Sequence, residues 1–125
     1  MKFKLWISLC IVTFALSACS SQEILQFQGE NMNWKVEYQA DIRSESSEST
    51  SFTIKYIGNG NPPEKIYYQI DSSAGESNGN TLLNDGIVKV SSSSCTGCAT
   101  TSEGQEMHVI IKWKGETEKL ILRDE

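Results

Sequence analysis

The chain has 125 residues, a formal charge of −5 and a single histidine. A chain of that length makes one domain around one core. Its excess of acid excludes nucleic acid, anionic membrane surfaces and anionic wall polymers as electrostatic partners. One histidine also leaves little material for a multi-residue catalytic centre, so the composition argues against an enzyme.

The first segment is an address. Lys2 and Lys4 precede an apolar run over residues 5–16, interrupted only by Ser8 and Thr13, and the small residues Ser17 and Ala18 lead into Cys19. This is the basic, apolar and small-residue succession of a secretory signal peptide, and its apolar run is shorter than the ~20 residues of a membrane span. Residues 1–18 take two lysines and no acid with them, which leaves nine Lys and Arg against 16 acids, a charge of −7. The end of the segment, Leu16-Ser17-Ala18-Cys19, resembles the lipobox of bacterial lipoproteins. The resemblance implies that the Cys19 thiol receives a diacylglycerol, that the chain is cut before Cys19, and that acyl chains such as palmitate hold the protein in the membrane. Each buried methylene contributes ~0.8 kcal/mol, so two chains anchor stably where one does not. That covalent lipid is the only non-protein group expected. The membrane is reached through it, on the extracytoplasmic face, or on the outer cell surface in a Gram-positive host.

Residues 19–31 read as the lipidated N-terminus and a short polar tether, and residues 32–125 as the folded domain. Trp34, Val36 and Tyr38 alternate with polar residues, as do Phe52, Ile54 and Tyr56, the period of half-buried strands. Between them residues 43–51 carry no apolar side chain and read as a solvated loop. Residues 58–63, Gly-Asn-Gly-Asn-Pro-Pro, end the second strand. Ile66, Tyr68 and Ile70 share a face of a third. Residues 71–80 are polar and glycine-rich and read as a loop, and Asp85-Gly86 is a strong turn signal. Residues 87–90 make a short strand, and residues 91–104 form a loop that holds both remaining cysteines. Met107, Val109, Ile111 and Trp113 alternate through the clearest strand of the chain. After a turn at residues 114–116, Leu120 and Leu122 face one way and Ile121 the other. No helical period is sustained. The pattern predicts an all-β domain, an immunoglobulin-like β-sandwich of about seven short strands, with a small β-barrel as the alternative.

Cys95 and Cys98 are the one constellation with a chemistry, and three readings apply. A local structural disulfide suits an exported domain, contributes ~2 kcal/mol by the loop-entropy relation, and uses Gly97 for the tight turn. A thiol-exchange pair normally stands at a helix N-terminus that lowers the thiol pKa, and the residues around Cys95 are poor helix formers. A soft-metal site could add Met107 or His108, only one of which can join, because strand neighbours point to opposite faces. Other candidates are weaker. His108 lacks an oriented partner and a nucleophile motif. The acids of residues 71–80 with Asp85 lack the alternating pattern of a calcium loop. Trp34, Tyr67 and Tyr68 could form an aromatic platform, with Tyr67 on the face opposite Tyr68.

Several segments together resemble small uncharacterised lipoproteins of Gram-positive bacteria: Phe27-Gln28-Gly29-Glu30 followed by Asn33-Trp34, the strand from Phe52 to Gly58, the Cys95 and Cys98 pair, and Ile111-Lys112-Trp113-Lys114-Gly115-Glu116. This implies a β-sandwich lipoprotein at the cell surface. The expected protein is a non-enzymatic, monomeric binding or structural module of the envelope that meets an envelope protein. The alternative is an envelope thiol-exchange or metal-binding protein using Cys95 and Cys98.

Overall fold

The computed structural model describes residues 23–72, 75–96 and 99–124, with residues 92–96 described by their backbone. Eight strands account for most of it: β1 (Glu23–Glu30), β2 (Trp34–Ser44), β3 (Ser47–Tyr56), β4 (Lys65–Ser72), β5 (Gly75–Leu82), β6 (Ile87–Thr96), β7 (Met107–Trp113) and β8 (Glu116–Asp124). They pair antiparallel in the order β5-β4-β7-β8-β1-β2-β3-β6. The all-β expectation holds. The strands form a single sheet rolled into a nearly closed barrel, the architecture of the barrel alternative.

Side-chain alternation explains the roll. Each strand except β5 places its buried apolar residues on one face, and a sheet with one apolar face must cover it. The twist that strands carry lets this sheet cover itself. The Phe52 ring on β3 meets the Tyr68 ring on β4 at 5.2 Å and 68°, although the two strands lie near opposite ends of the sheet order. Trp34 on β2 meets Trp113 on β7 edge-on at 5.3 Å. Trp34, Val36, Ile54, Met107, Val109, Ile111 and Leu122 are fully buried in the resulting core. Closure stops at β5 and β6: among the described residues no ladder joins these two edges, and their connection is tied by the Asn84 to Ile87 bridge and by backbone bonds from Leu83 to Glu64 and from Tyr56 to Gly86. That connection turns through Asp85 and Gly86 at φ 53° and 78°, a two-residue type I′ geometry that Asp-Gly favours.

The structure corrects the sequence reading in four places. Residues 23–30, assigned to the tether, form β1 in the middle of the sheet, pairing with β2 from Glu23 opposite Ile42 to Glu30 opposite Lys35. The cause is a short alternation hidden in polar sequence: Leu25 and Phe27 point inward between Gln26 and Gln28. Residues 43–51 are a hairpin, not a loop. Ser44 pairs with Ser47 across the turn residues Glu45 and Ser46, and the ladder runs on through serines and threonines. Residues 75–82 and 91–96 likewise belong to strands, β5 and β6. Backbone pairing to an established neighbour overrides the low strand propensity of Ser, Asn and Gly. β5 has no buried residue, so nothing in its hydropathy announces it.

Because all pairings are antiparallel, the barrel has two distinct ends. The chain enters β1 at one end, together with the turn at residues 45–46, the connection from β6 to β7, and the end of β8. The opposite end carries the β1–β2 turn, residues 57–64, the Asp85-Gly86 turn and the β7–β8 hairpin.

Candidate functional site

The β-sheet register builds the site. On the outer face, Asn80 of β5 stands opposite Tyr67 of β4, Tyr67 opposite Lys112 of β7, and Lys112 opposite Thr117 of β8. Four strands thus present one row of outward side chains near the end away from β1's start. Above the row the chain rises through Pro62, Pro63 and Glu64 on one side and turns through Lys114 and Gly115 on the other. The hairpin turn is sharp because Lys114 and Gly115 both take left-handed angles, φ 48° and 77°, as a two-residue type I′ loop requires. The walls and the row enclose an open groove of about 830 Å³, within the ~300–1,000 Å³ of small-ligand sites.

The groove mixes ring surface with charge. Tyr67 is half-buried on its floor, and its hydroxyl donates to Gln69 Oε1 at 3.3 Å. Lys112 Nζ lies 5.6 Å from the Tyr67 ring centroid, within cation–π range. Lys65 and Lys114 are exposed at the rim, as are Glu64 and Glu116. Among the described residues none of these three lysines forms an ion pair.

The end where β1 begins is organised differently. Glu48 on β3 is 2% exposed, and its carboxylate accepts from the Thr101 backbone N–H at 3.0 Å and from Thr101 Oγ1 at 3.2 Å. Two bonds from one residue satisfy the buried charge and fasten the connection after β6 to β3. Burial pushes the Tyr38 phenol above its ordinary pKa, and the nearby Glu48 charge adds to the rise. Hydrogen bonds with Thr50 and Ser72 oppose it. At the other end, Asn31 Nδ2 and Asn33 Nδ2 both donate to the Glu118 carboxylate, at 3.1 and 2.6 Å, while Asn31 Oδ1 accepts from the backbone of Asn33 and Trp34. This clamp locks the β1–β2 turn onto β8.

The sequence-derived candidates fall into place unevenly. Leu16, Ser17, Ala18 and Cys19 lie outside the described residues, as does Cys98. Cys95 belongs to β6 and stands opposite Glu48 in the register. Met107 is fully buried and His108 exposed, so the pair splits between faces as expected. His108 stands opposite Asp71 and Ile121 on the outer wall. Residues 75–80, weighed as part of a calcium loop, lie on a strand. Among the described residues no group of three His, Cys, Asp or Glu side chains converges on a point. Trp34 and Tyr68 are core residues, and Tyr67 alone of the aromatic candidates reaches a groove. Lys65, Lys112, Lys114 and Asn80 were missed. Their signal was the alternation itself: once Ile66, Tyr68, Ile111 and Trp113 face inward, Lys65, Tyr67 and Lys112 must face out.

No protein-family model, curated protein or solved structure matches this chain.

Proposed function

We propose that the chain is a lipid-anchored, extracytoplasmic binding module without catalytic activity, held to the membrane through Cys19 and presenting the Tyr67 groove to a partner in the cell envelope. The observation that carries this is the polarity of the barrel. β1 starts at Glu23, so only residues 20–22 separate it from Cys19, a reach of about 10 Å. The groove lies at the far end of the same strands. A chain anchored this way stands on the membrane with its groove facing outward.

Charge is unequal between the two ends, although Glu30, Glu64, Glu116 and Glu118 stand at the same end as the lysines. Glu23, Glu45, Glu103, Glu106 and Asp124 gather at the end where β1 begins, against Arg43 and Arg123, whereas Lys35, Lys55, Lys65, Lys112 and Lys114 lie toward the other end. The short tether, and not charge, sets this orientation, because an anionic bilayer repels the acidic end within a Debye length of ~8 Å. In this reading Cys95 and Cys98 form a local disulfide near the membrane, with no role in turnover.

Two measurements test the proposal. Cys19→Ser should abolish incorporation of labelled palmitate and release the protein from the membrane fraction; retention of either removes the anchor. A photo-crosslinking amino acid at Asn80, in the groove, should give discrete adducts in intact cells, and the same group at Lys89 on β6 should not. Equal yields at both positions would reject the groove as the contact face.

A further inference from the structure

The groove's own chemistry narrows what it can hold. We infer that it takes a short peptide segment in which a carboxylate stands beside an apolar side chain, the carboxylate received by Lys112 and Lys114 and the apolar side chain by the Tyr67 ring and Pro62; this rests on the binding-module reading above. Three observations lead there.

The first is unused positive charge. In a chain with 16 acids and 11 basic residues, three lysines line one groove and none of them is ion-paired among the described residues. Glu64 and Glu116 line the same groove and yet leave those lysines unmatched. Lys112 is held over the Tyr67 ring rather than by a carboxylate, and a cation resting on a ring face keeps N–H donors for an incoming anion.

The second is the apolar share of the lining. Pro62 and Tyr67 supply rigid, ring-shaped surface beside the lysines, with the buried Pro63 behind them. Such residues bind apolar groups at low entropic cost, because proline and tyrosine have few rotamers to lose. A bare anion would leave this surface uncovered.

The third is what the groove repels. Glu64 and Glu116 stand among the lysines, and the chain is acidic overall. A uniform polyanion would meet like charge at both places. A neutral sugar would leave three lysines unanswered. A segment with an isolated carboxylate next to an apolar side chain matches each part of the lining. The open shape of the groove admits extended backbone, while Asn80 and Thr117 offer side-chain hydrogen bonds at the two ends of the outward row.

The test uses the full-length protein in micelles of an uncharged detergent, observed by NMR. Three probes are compared: acetyl-Leu-Asp-Leu-amide, its neutral isostere acetyl-Leu-Asn-Leu-amide, and inorganic polyphosphate. The acidic peptide should give saturable shifts centred on Tyr67, Lys112 and Lys114. The isostere should bind at least tenfold more weakly. Lys112→Gln combined with Lys114→Gln should weaken the acidic peptide at least tenfold, with amide shifts outside the groove unchanged to show that the fold persists. Lys89→Gln should leave binding as it is. Equal binding of the isostere, polyphosphate binding as tightly as the peptide, or no saturable shift from the peptide would each overturn the inference. If adducts at Asn80 form in cells while the peptide fails, the ligand class is wrong and the binding-module reading stands. If both fail, the groove is not a binding site.

Discussion

Phe27→Ala is the most direct test of how this barrel is built. Sequence alone puts residue 27 in a solvated tether, where truncation would cost nothing measurable. The structure puts its ring in the core at 1% exposure, edge-on to Tyr38 at 6.4 Å, on the strand whose partners Asp124 and Arg123 join the two halves of the sheet. Removing a fully buried phenyl ring forfeits its transfer free energy and leaves a cavity that the surrounding rings fill poorly, together ~3–5 kcal/mol. A domain of about 100 residues loses ~4–8 °C per kcal/mol, so the melting temperature should fall by roughly 15–30 °C. Gln26→Ala, whose side chain points outward from the same strand, should stay within ~0.5 kcal/mol of the parent. Urea unfolding followed by tryptophan fluorescence reads both, since Trp34 and Trp113 report on the core. A cost below ~1 kcal/mol for Phe27→Ala, or equal costs for the two variants, would mean that β1 is not an integral strand, and the orientation argument would fall with it.

Other outcomes follow from the same packing. A Cβ added in Gly29→Ala would run into the Ile121 carbonyl oxygen and the Leu122 side chain, so it should destabilise by ~1–3 kcal/mol, read in the same unfolding assay. Glu48→Gln keeps one acceptor for Thr101 but turns an NH2 group toward the other donor and should cost ~1–3 kcal/mol; hydrogen exchange at the Thr101 amide should accelerate, and unchanged protection would refute the latch. Tyr38 should ionise above the ordinary tyrosine range, because burial raises its pKa. A raised folded-state pKa means that its contribution is fully present below the ordinary tyrosine value of about 10 and is lost as pH climbs through the higher folded value. Tyr38→Phe should therefore remove a phase of the ultraviolet titration that lies above the ordinary tyrosine value. The disulfide proposed between Cys95 and Cys98 is expected to have a reduction potential below about −300 mV; a value between about −120 and −270 mV would mark an exchange catalyst.

What the sequence made most legible is the strands that carry three or more apolar residues in alternation, whereas β1, with only Leu25 and Phe27 inward, escaped it. β7 shows this best: Met107, Val109, Ile111 and Trp113 are all buried and His108 and Lys112 exposed, as the pattern requires. β2, β4 and the inner half of β3 follow the same logic. β5 was illegible because it packs no apolar side chain inward. Its inner positions opposite Ile66, Tyr68 and Ile70 are Thr81, Gly79 and Ser77, residues that turns favour equally. The extension of β6 through Ser91 and beyond was hidden for the same reason. The groove was half visible. Tyr67 could be assigned to the outer face from Tyr68 alone, but its neighbours across the sheet are set by register, and register between strands far apart in sequence is written in no local pattern.

The ladder between β1 and β8 has a temporal meaning as well as a spatial one. Its two pairs, Phe27 with Asp124 and Gln28 with Arg123, join the first strand to the last and connect one half of the sheet to the other. Until the final strand has left the ribosome, the half containing β2 and β3 has no edge to join to β7 and β4, and the rings of Trp34 and Phe52 have no opposing wall. Contacts so distant in sequence form late and slowly. The core is therefore completed only when β8 is present to join the two halves.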